Sequence, residues 1–212
     1  MRSNPRDHWQ TVYETKAPTD VSWYQPTPQR SLALIQSTGL SPSAALIDVG
    51  GGASTLVDHL LAAGFSDITV LDVAPAALEA ARARLGTDGA PVQMVAADVT
   101  AWQPPRQYDL WHDRAVFHFL VDEGLRAQYI NVLKAAIAPG GYVVMATFGP
   151  EGPTRCSGLD VRRYAAAELS AVLGTAFRLM TSVTDEHTTP SGNVQQFMYG
   201  LWQAESPKDS SV

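Results

Sequence analysis

The 212-residue sequence predicts an α/β fold: a doubly wound sheet of five parallel strands closed by a C-terminal antiparallel hairpin, with helices on both faces. Three observations carry this expectation. From Ala45 onward, short apolar runs alternate with stretches of helical periodicity, the rhythm of right-handed βαβ units. The first of these runs, Leu46-Ile47-Asp48-Val49, turns through Gly50-Gly51-Gly52 into a helical pattern, which is the layout of a tight strand-to-helix turn. The last two extended segments are separated only by Thr189-Pro190-Ser191-Gly192-Asn193, too short for a helical crossover, so they are antiparallel neighbours.

The elements follow in order. Residues 7–16 read as a short helix carrying Trp9, Val12 and Tyr13. The aromatic, proline-rich stretch 21–28 is a fixed loop, and 31–37 resumes a helix. The first strand is 45–49, and the helix 54–63 turns Leu56, Leu60 and Leu61 inward before Gly64 stops it. A second strand spans 68–72; the helix 75–85 starts at proline and ends before Gly86. The third and fourth strands are 92–95 and 108–113. A longer helix, 122–138, places Leu125, Tyr129, Val132 and Ala136 on one face, and Pro139-Gly140-Gly141 turns it into a fifth strand, 142–148. A flexible, small-residue loop follows that strand, and then a helix over 165–173. The hairpin strands are 177–185 and 195–203.

Composition sets the outer bounds. Hydrophobic residues make up 45% and charged residues 17%, which a packed core requires. A net charge of -6 and a pI near 5.3 argue against a broad nucleic-acid surface, which uses clustered Lys and Arg. The lone Cys156 has no partner for an internal disulfide, which fits a reducing compartment. The first residues are polar, unlike a signal peptide, and no apolar run is long enough to span a bilayer. A cytoplasmic protein without a membrane partner is the expectation. The chain is expected to divide into a helical and aromatic N-terminal segment (1–39), one α/β domain (40–204) and a disordered polar tail (205–212).

The glycine run implies a nucleotide-like ligand, because a backbone without Cβ atoms allows close approach and the following helix offers free N–H groups. Two ligands compete. A dinucleotide fingerprint wants a third glycine where Thr55 stands. The Asp-x-Gly-x-Gly pattern that binds S-adenosylmethionine (SAM) is met by Asp48, Gly50 and Gly52. Ligands of open α/β sheets sit at the carboxyl ends of the strands, and those ends carry Asp48, Asp72, Asp98 and Asp113 in succession. Each alone reads equally well as a turn or helix cap. Asp72, with Val73 beside it, is placed to accept from two ribose hydroxyls, and Asp98 with Val99 to meet an adenine.

Asp48-Val-Gly-Gly-Gly, Leu71-Asp72, Ala97-Asp98-Val99, Tyr108-Asp-Leu-Trp-His-Asp113 and Pro139-Gly-Gly-Tyr-Val-Val together resemble the successive motifs of class I, seven-stranded, SAM-dependent methyltransferases. The resemblance covers residues 40–204 and implies a Rossmann-like fold with SAM as cofactor. Gly50 and Gly52 then line its methionine part, Asp72 its ribose, and Asp98 with Val99 its adenine. The N-terminal aromatic stretch and the Asp113-Arg114-Ala115-Val116-Phe117 block are similar in layout to lysine methyltransferases of elongation factor 1A. Ala115 and Val116 depart from that family's small pair, and substrate identity does not carry over with them.

The implied activity is methyl transfer to a nucleophilic nitrogen or sulfur, on a protein lysine or a small molecule. An acceptor protonated at neutral pH needs a base. Asp113 and His118 are the catalytic candidates, with His112 beside them; Asp113 is also placed to orient the methionine ammonium, and His118 reads equally as a packed core residue. Trp9, Tyr13, Trp23 and Tyr24 read as a lid over cofactor and acceptor, or as aromatic anchors for the N-terminal helix. Cys156 reads first as a buried thiol, and the His and Asp spacings form no metal pattern. The alternative to an enzyme is a non-catalytic SAM-binding partner protein.

Overall fold

A computed structural model describes residues 5–206. Its main sheet has seven strands: β1 (Ala45–Val49), β2 (Asp67–Asp72), β3 (Gln93–Ala96), β4 (Tyr108–Arg114), β5 (Ile137–Phe148) and the late strands β8 (Phe177–Thr188) and β9 (Val194–Ala204). They lie in the order β3-β2-β1-β4-β5-β9-β8. The first five are mutually parallel, while β9 runs antiparallel to both β5 and β8. The chain order reverses between β1 and β4, which opens a crevice above their carboxyl ends. This is the expected doubly wound α/β architecture with its closing hairpin.

Helices cover both faces. The helices α2 (Gln29–Ser37), α3 (Leu56–Ala62) and α4 (Pro75–Leu85) pack on one side through Ile35, Leu56, Leu60 and Leu78. On the other side α5 (Glu123–Ala136) and α6 (Ala166–Leu173) bury Tyr129, Leu133, Leu169 and Leu173 against Trp111, Val143 and Trp202. The first helix, α1 (Pro5–Thr15), lies outside both layers. It rests on the start of α4, where the Gln10 side-chain oxygen accepts from the Ala76 N–H at 3.1 Å.

Three details differ from expectation. The buried stripe of α5 is Tyr129, Ile130, Leu133 and Ala136, while Leu125 is 38% exposed and Val132 half-buried. Asp122 caps the helix by accepting from Leu125 N at 3.1 Å, and residues 123–125 of its first turn are exposed. Strand β5 starts at Ile137, not at Tyr142. Ile137 pairs with Tyr108 and Tyr142 with Leu110, so residues 138–141 bulge out opposite Asp109. Finally, the loop after β5 is not wholly irregular: β6 (Arg155–Cys156) and β7 (Leu159–Asp160) form a small hairpin. Its turn residues Ser157 and Gly158 both take positive φ, as a tight hairpin turn demands.

Of the expected disordered tail, residues 207–212 lie outside the described residues, while Glu205 N still donates to Ala176 O at 2.9 Å. Among the described residues, no helix is long and apolar enough to cross a membrane.

Candidate functional site

The turn after β1 is built by what crowds it. Gly50 adopts φ +65 and its N–H reaches Leu71 O at 2.6 Å, tying the turn to the end of β2. A Cβ on Gly50 would overlap Val116 Cγ2; one on Gly51 would overlap an Asp48 carboxylate oxygen; one on Gly52 would meet Asp72 and Ala77. Arg84 of α4 fixes the rest of the loop. Its guanidinium donates to Ala53 O at 3.0 Å and Ser54 O at 2.7 Å while pairing with Asp58.

Above this turn lies a cleft bounded by Gly50, Gly51, Ser54, the N-terminal segment and β4. Trp23, Tyr24, Ser31, Asp48, His112 and Arg114 line it. Asp48 and His112 are register partners on adjacent parallel strands, so their side chains share a face. His112 Nδ1 is 2.7 Å from Asp48 Oδ1, and its Nε2 is 2.9 Å from Ser31 Oγ on α2. A carboxylate only accepts, so Nδ1–H points to Asp48, and with the ring neutral Nε2 is left to accept from the Ser31 hydroxyl. All three are buried. Asp48 Oδ2 is buried as well and has no hydrogen-bond partner among the described residues. An orphaned carboxylate oxygen of this kind calls for a donor brought by a ligand.

The other expected binding residues stand at the neighbouring strand ends and do not line the cleft. Asp72 closes β2; its Oδ1 accepts from Ala74 N at 2.8 Å. Burial, with Asp48 adding, pushes its carboxyl up to about 7. Val73 beside it is half-buried. Burial, with the Asp72 carboxylate adding, pushes the Tyr13 phenol of α1 above the ordinary range. Helix α1 lies near the end of β2, where Gln10 meets Ala76 N at the start of α4. Asp98 is exposed, and its Oδ1 accepts from both Thr100 N and Thr100 Oγ1 at 2.8 Å. Val99 is buried in the core on the α5 side.

Asp113 and His118 are turned elsewhere. The Asp113 carboxylate is fully buried; it accepts from Val116 N at 3.0 Å, from Phe117 N at 3.2 Å and from the Tyr129 hydroxyl. Burial pushes it up to about 6 against those hydrogen bonds. These bonds hold the segment after β4, where Ala115 takes φ +70 and Val116 lies over Gly50. His118 is also fully buried, and its Nδ1 accepts from Phe148 N at 3.2 Å. Burial and the nearby Arg114 charge push it down to about 3, so it is neutral at pH 7.

The aromatic residues interlock. Trp9 meets Trp23 and Phe119 edge-on at 5.6 and 5.0 Å, and Tyr13 meets Trp23 at 6.3 Å. Thr55 Oγ1 donates to Gln25 O at 2.8 Å, fastening the following loop to the glycine turn. Cys156 is buried, its Sγ 3.9 Å from Ser22 Oγ, and burial pushes its thiol up. Among the described residues, no cluster of His, Cys, Asp and Glu is able to hold a metal.

Sequence reasoning missed Ser31 and Arg114 and left His112 as a bystander. A usable signal was present: strand periodicity puts His112 and Arg114 on one face of β4 and Asp113 on the other. Ser31 gave none, since its role depends on how α2 docks.

Residues 47–143 match a family model described as a methyltransferase domain. A trans-aconitate 2-methyltransferase of Methylobacterium radiotolerans is 38% identical over 101 residues, 47% of this chain and 36% of that protein. A malonyl-[acyl-carrier protein] O-methyltransferase of Ilyobacter polytropus is 32% identical over 84 residues, 40% of this chain and 30% of that protein. The matched segments thus span about a third of these relatives' own lengths. A solved SAM-dependent methyltransferase from Anabaena variabilis superposes with a TM-score of 0.75 at 16% identity, over 95% of this chain and 96% of that one. The chain has the fold of class I SAM-dependent methyltransferases.

Proposed function

We propose that this chain is a SAM-dependent methyltransferase in which residues 1–39 roof a catalytic domain formed by 40–204. The observation that carries the reading is the bare glycine turn with the unpartnered Asp48 Oδ2 buried beside it. A cationic ammonium satisfies that oxygen, as the aminoacyl end of SAM would. Gly50 and Gly52 would border the same end. Asp72, with Val73, would take the ribose hydroxyls; Asp98 and the Val99 backbone would meet the adenine. Tyr24 would cover the ligand from the lid side. When bound, SAM supplies an electrophilic methyl group on a sulfonium.

The residues of the chain then have three tasks: to orient the acceptor, exclude water and accept a proton. The Ser31–His112–Asp48 chain fits the last. The acceptor's proton passes to Ser31 Oγ as the Ser31 proton passes to His112 Nε2, and Asp48 stabilises the charge left on the ring. In this reading Asp113 is a positioning residue for the segment after β4, and His118 a packed neutral residue. The acceptor is a nucleophilic nitrogen or sulfur of a small molecule or a protein lysine; the roofed cleft favours the small molecule. The relatives' names add oxygen to the acceptors worth testing.

Calorimetric titration separates the ligand classes: SAM should bind and NAD should not. Tritiated-methyl SAM incubated with fractionated lysate should then label the small-molecule pool. No uptake of SAM overturns the reading; binding without label in any fraction leaves the non-catalytic alternative standing in its place.

A further inference from the structure

The cleft contains one cation, Arg114, that no carboxylate contacts among the described residues. Arg114 ends β4 and enters the cleft wall beside Trp23 and Tyr24. Its Nε donates to the Tyr199 hydroxyl at 2.9 Å and its Nη1 to Trp23 O at 2.8 Å. The guanidinium carbon lies 4.6 Å from the centre of the Phe197 ring. These three contacts, two from β9 and one from the loop at Trp23, hold the guanidinium plane in one orientation. Nη2, in contrast, is buried and has no partner. Among the described residues no carboxylate forms an ion pair with it.

Asp48, the carboxylate that lines the cleft, is turned to His112 and makes no ion pair with Arg114. The charge instead reaches outward: with burial it pushes down His118 and His187, and it pulls the Cys156 thiol downward against burial. Arg114 is half-buried, and its buried Nη2 leaves a donor without an acceptor. A rigid fork of N–H donors matches a carboxylate better than any neutral group.

We propose that Arg114 is the anchor for a carboxylate brought into the cleft by a ligand, with Nη2 as the donor. The assignment rests on the methyltransferase reading above, which places two ligands there. Either one is a source of the carboxylate: the amino-acid end of SAM, or an anionic acceptor.

The test uses the full chain, its Arg114→Met variant and its Arg114→Lys variant, and reads ratios of affinity so that a general loss of structure cancels. One arm titrates SAM and decarboxylated SAM. The other, with S-adenosylhomocysteine bound, titrates trans-aconitate and its trimethyl ester as probes. If SAM is the source, wild type prefers SAM over the decarboxylated form by roughly 10- to 100-fold and Arg114→Met abolishes that preference. If the acceptor is the source, the preference for trans-aconitate over its ester collapses, and the SAM ratio is unchanged. Arg114→Lys, which keeps the charge and loses the fork, should recover part of whichever ratio collapses. Ratios in Arg114→Met equal to wild type in both arms overturn the carboxylate anchor alone. A wild-type chain that takes up no SAM overturns the methyltransferase reading and this assignment together.

Discussion

At Gly50 a single methyl group decides whether the loop and the segment after β4 fit together. Ala at φ +65 is strained by about 1–2 kcal/mol, and its Cβ would collide with Val116 as well. Gly50→Ala should therefore lower stability by about 2–4 kcal/mol and weaken SAM binding. Adding Val116→Ala should restore the packing part and leave the backbone part. Thermal melts of the two single variants and the double variant measure the coupling; additive losses would show that the contact is not shared. His112 offers a second test. His112→Gln keeps a donor for Asp48 and loses the basic nitrogen, so turnover should fall about 100-fold or more with SAM affinity little changed. Asp113→Asn should instead cost stability, because Tyr129 and two backbone N–H groups lose a charged acceptor. A variant that melts like wild type but turns over slowly would return Asp113 to the chemistry.

Among the elements, α1 packs on the start of α4, next to the end of β2, without belonging to the sheet. Removing residues 1–15 uncovers Asp72 and takes Tyr13 away. Its carboxyl should then move from about 7 toward the ordinary range near 4, measurable by carbon-13 NMR titration. A value that stays near 7 would place the cause in β2 and α4 alone. The elements also show what a sequence discloses. Strands β1, β2 and β4 and helix α4 were legible because apolar runs, a terminal Asp and a leading proline are local signals. The rotated face of α5 was not, because it depends on where the sheet ends beneath the helix. The bulge at 138–141 was hidden for the same kind of reason: Pro139-Gly140-Gly141 reads as a turn until Ile137 finds Tyr108 across the sheet. For the site, the glycine turn and the acidic strand ends could be read directly. The Ser31–His112–Asp48 chain and Arg114 could not be assembled, since their partners stand far apart in the sequence and meet only through packing.

For the molecule as a whole, buried titratable groups of opposite sense set the response to pH. Asp72 and Asp113 stay protonated in the folded state to about 7 and 6, whereas unfolded carboxyls ionise near 4. Their stability contribution is complete below pH 4 and is lost as pH rises through 6 to 7. His118 works the other way: held neutral down to about 3, it contributes above its unfolded value near 6.5 and loses that contribution as pH falls. His187 shares that sense. The two slopes oppose each other across pH 4–6.5, so the ligand-free protein should show a flat melting profile there. Asp72→Asn removes one falling slope and should gain on wild type by up to about 1.4 kcal/mol per pH unit between 4 and 7. His118→Phe should show the opposite trend from pH 3 to 6.5. Melting curves across pH 4–8 decide it; parallel profiles for all three proteins would contradict these assignments.

The interlocked rings of Trp9, Tyr13 and Trp23 have a temporal consequence. Tyr13 stands close to Asp72 at the end of β2, so a ligand held there would leave past α1 and those rings. If the proposed transfer is faster than that exchange, the first turnover should appear as a burst followed by a slower steady rate. Trp9→Ala should speed the steady phase and shrink the burst, a trade of residence time for throughput.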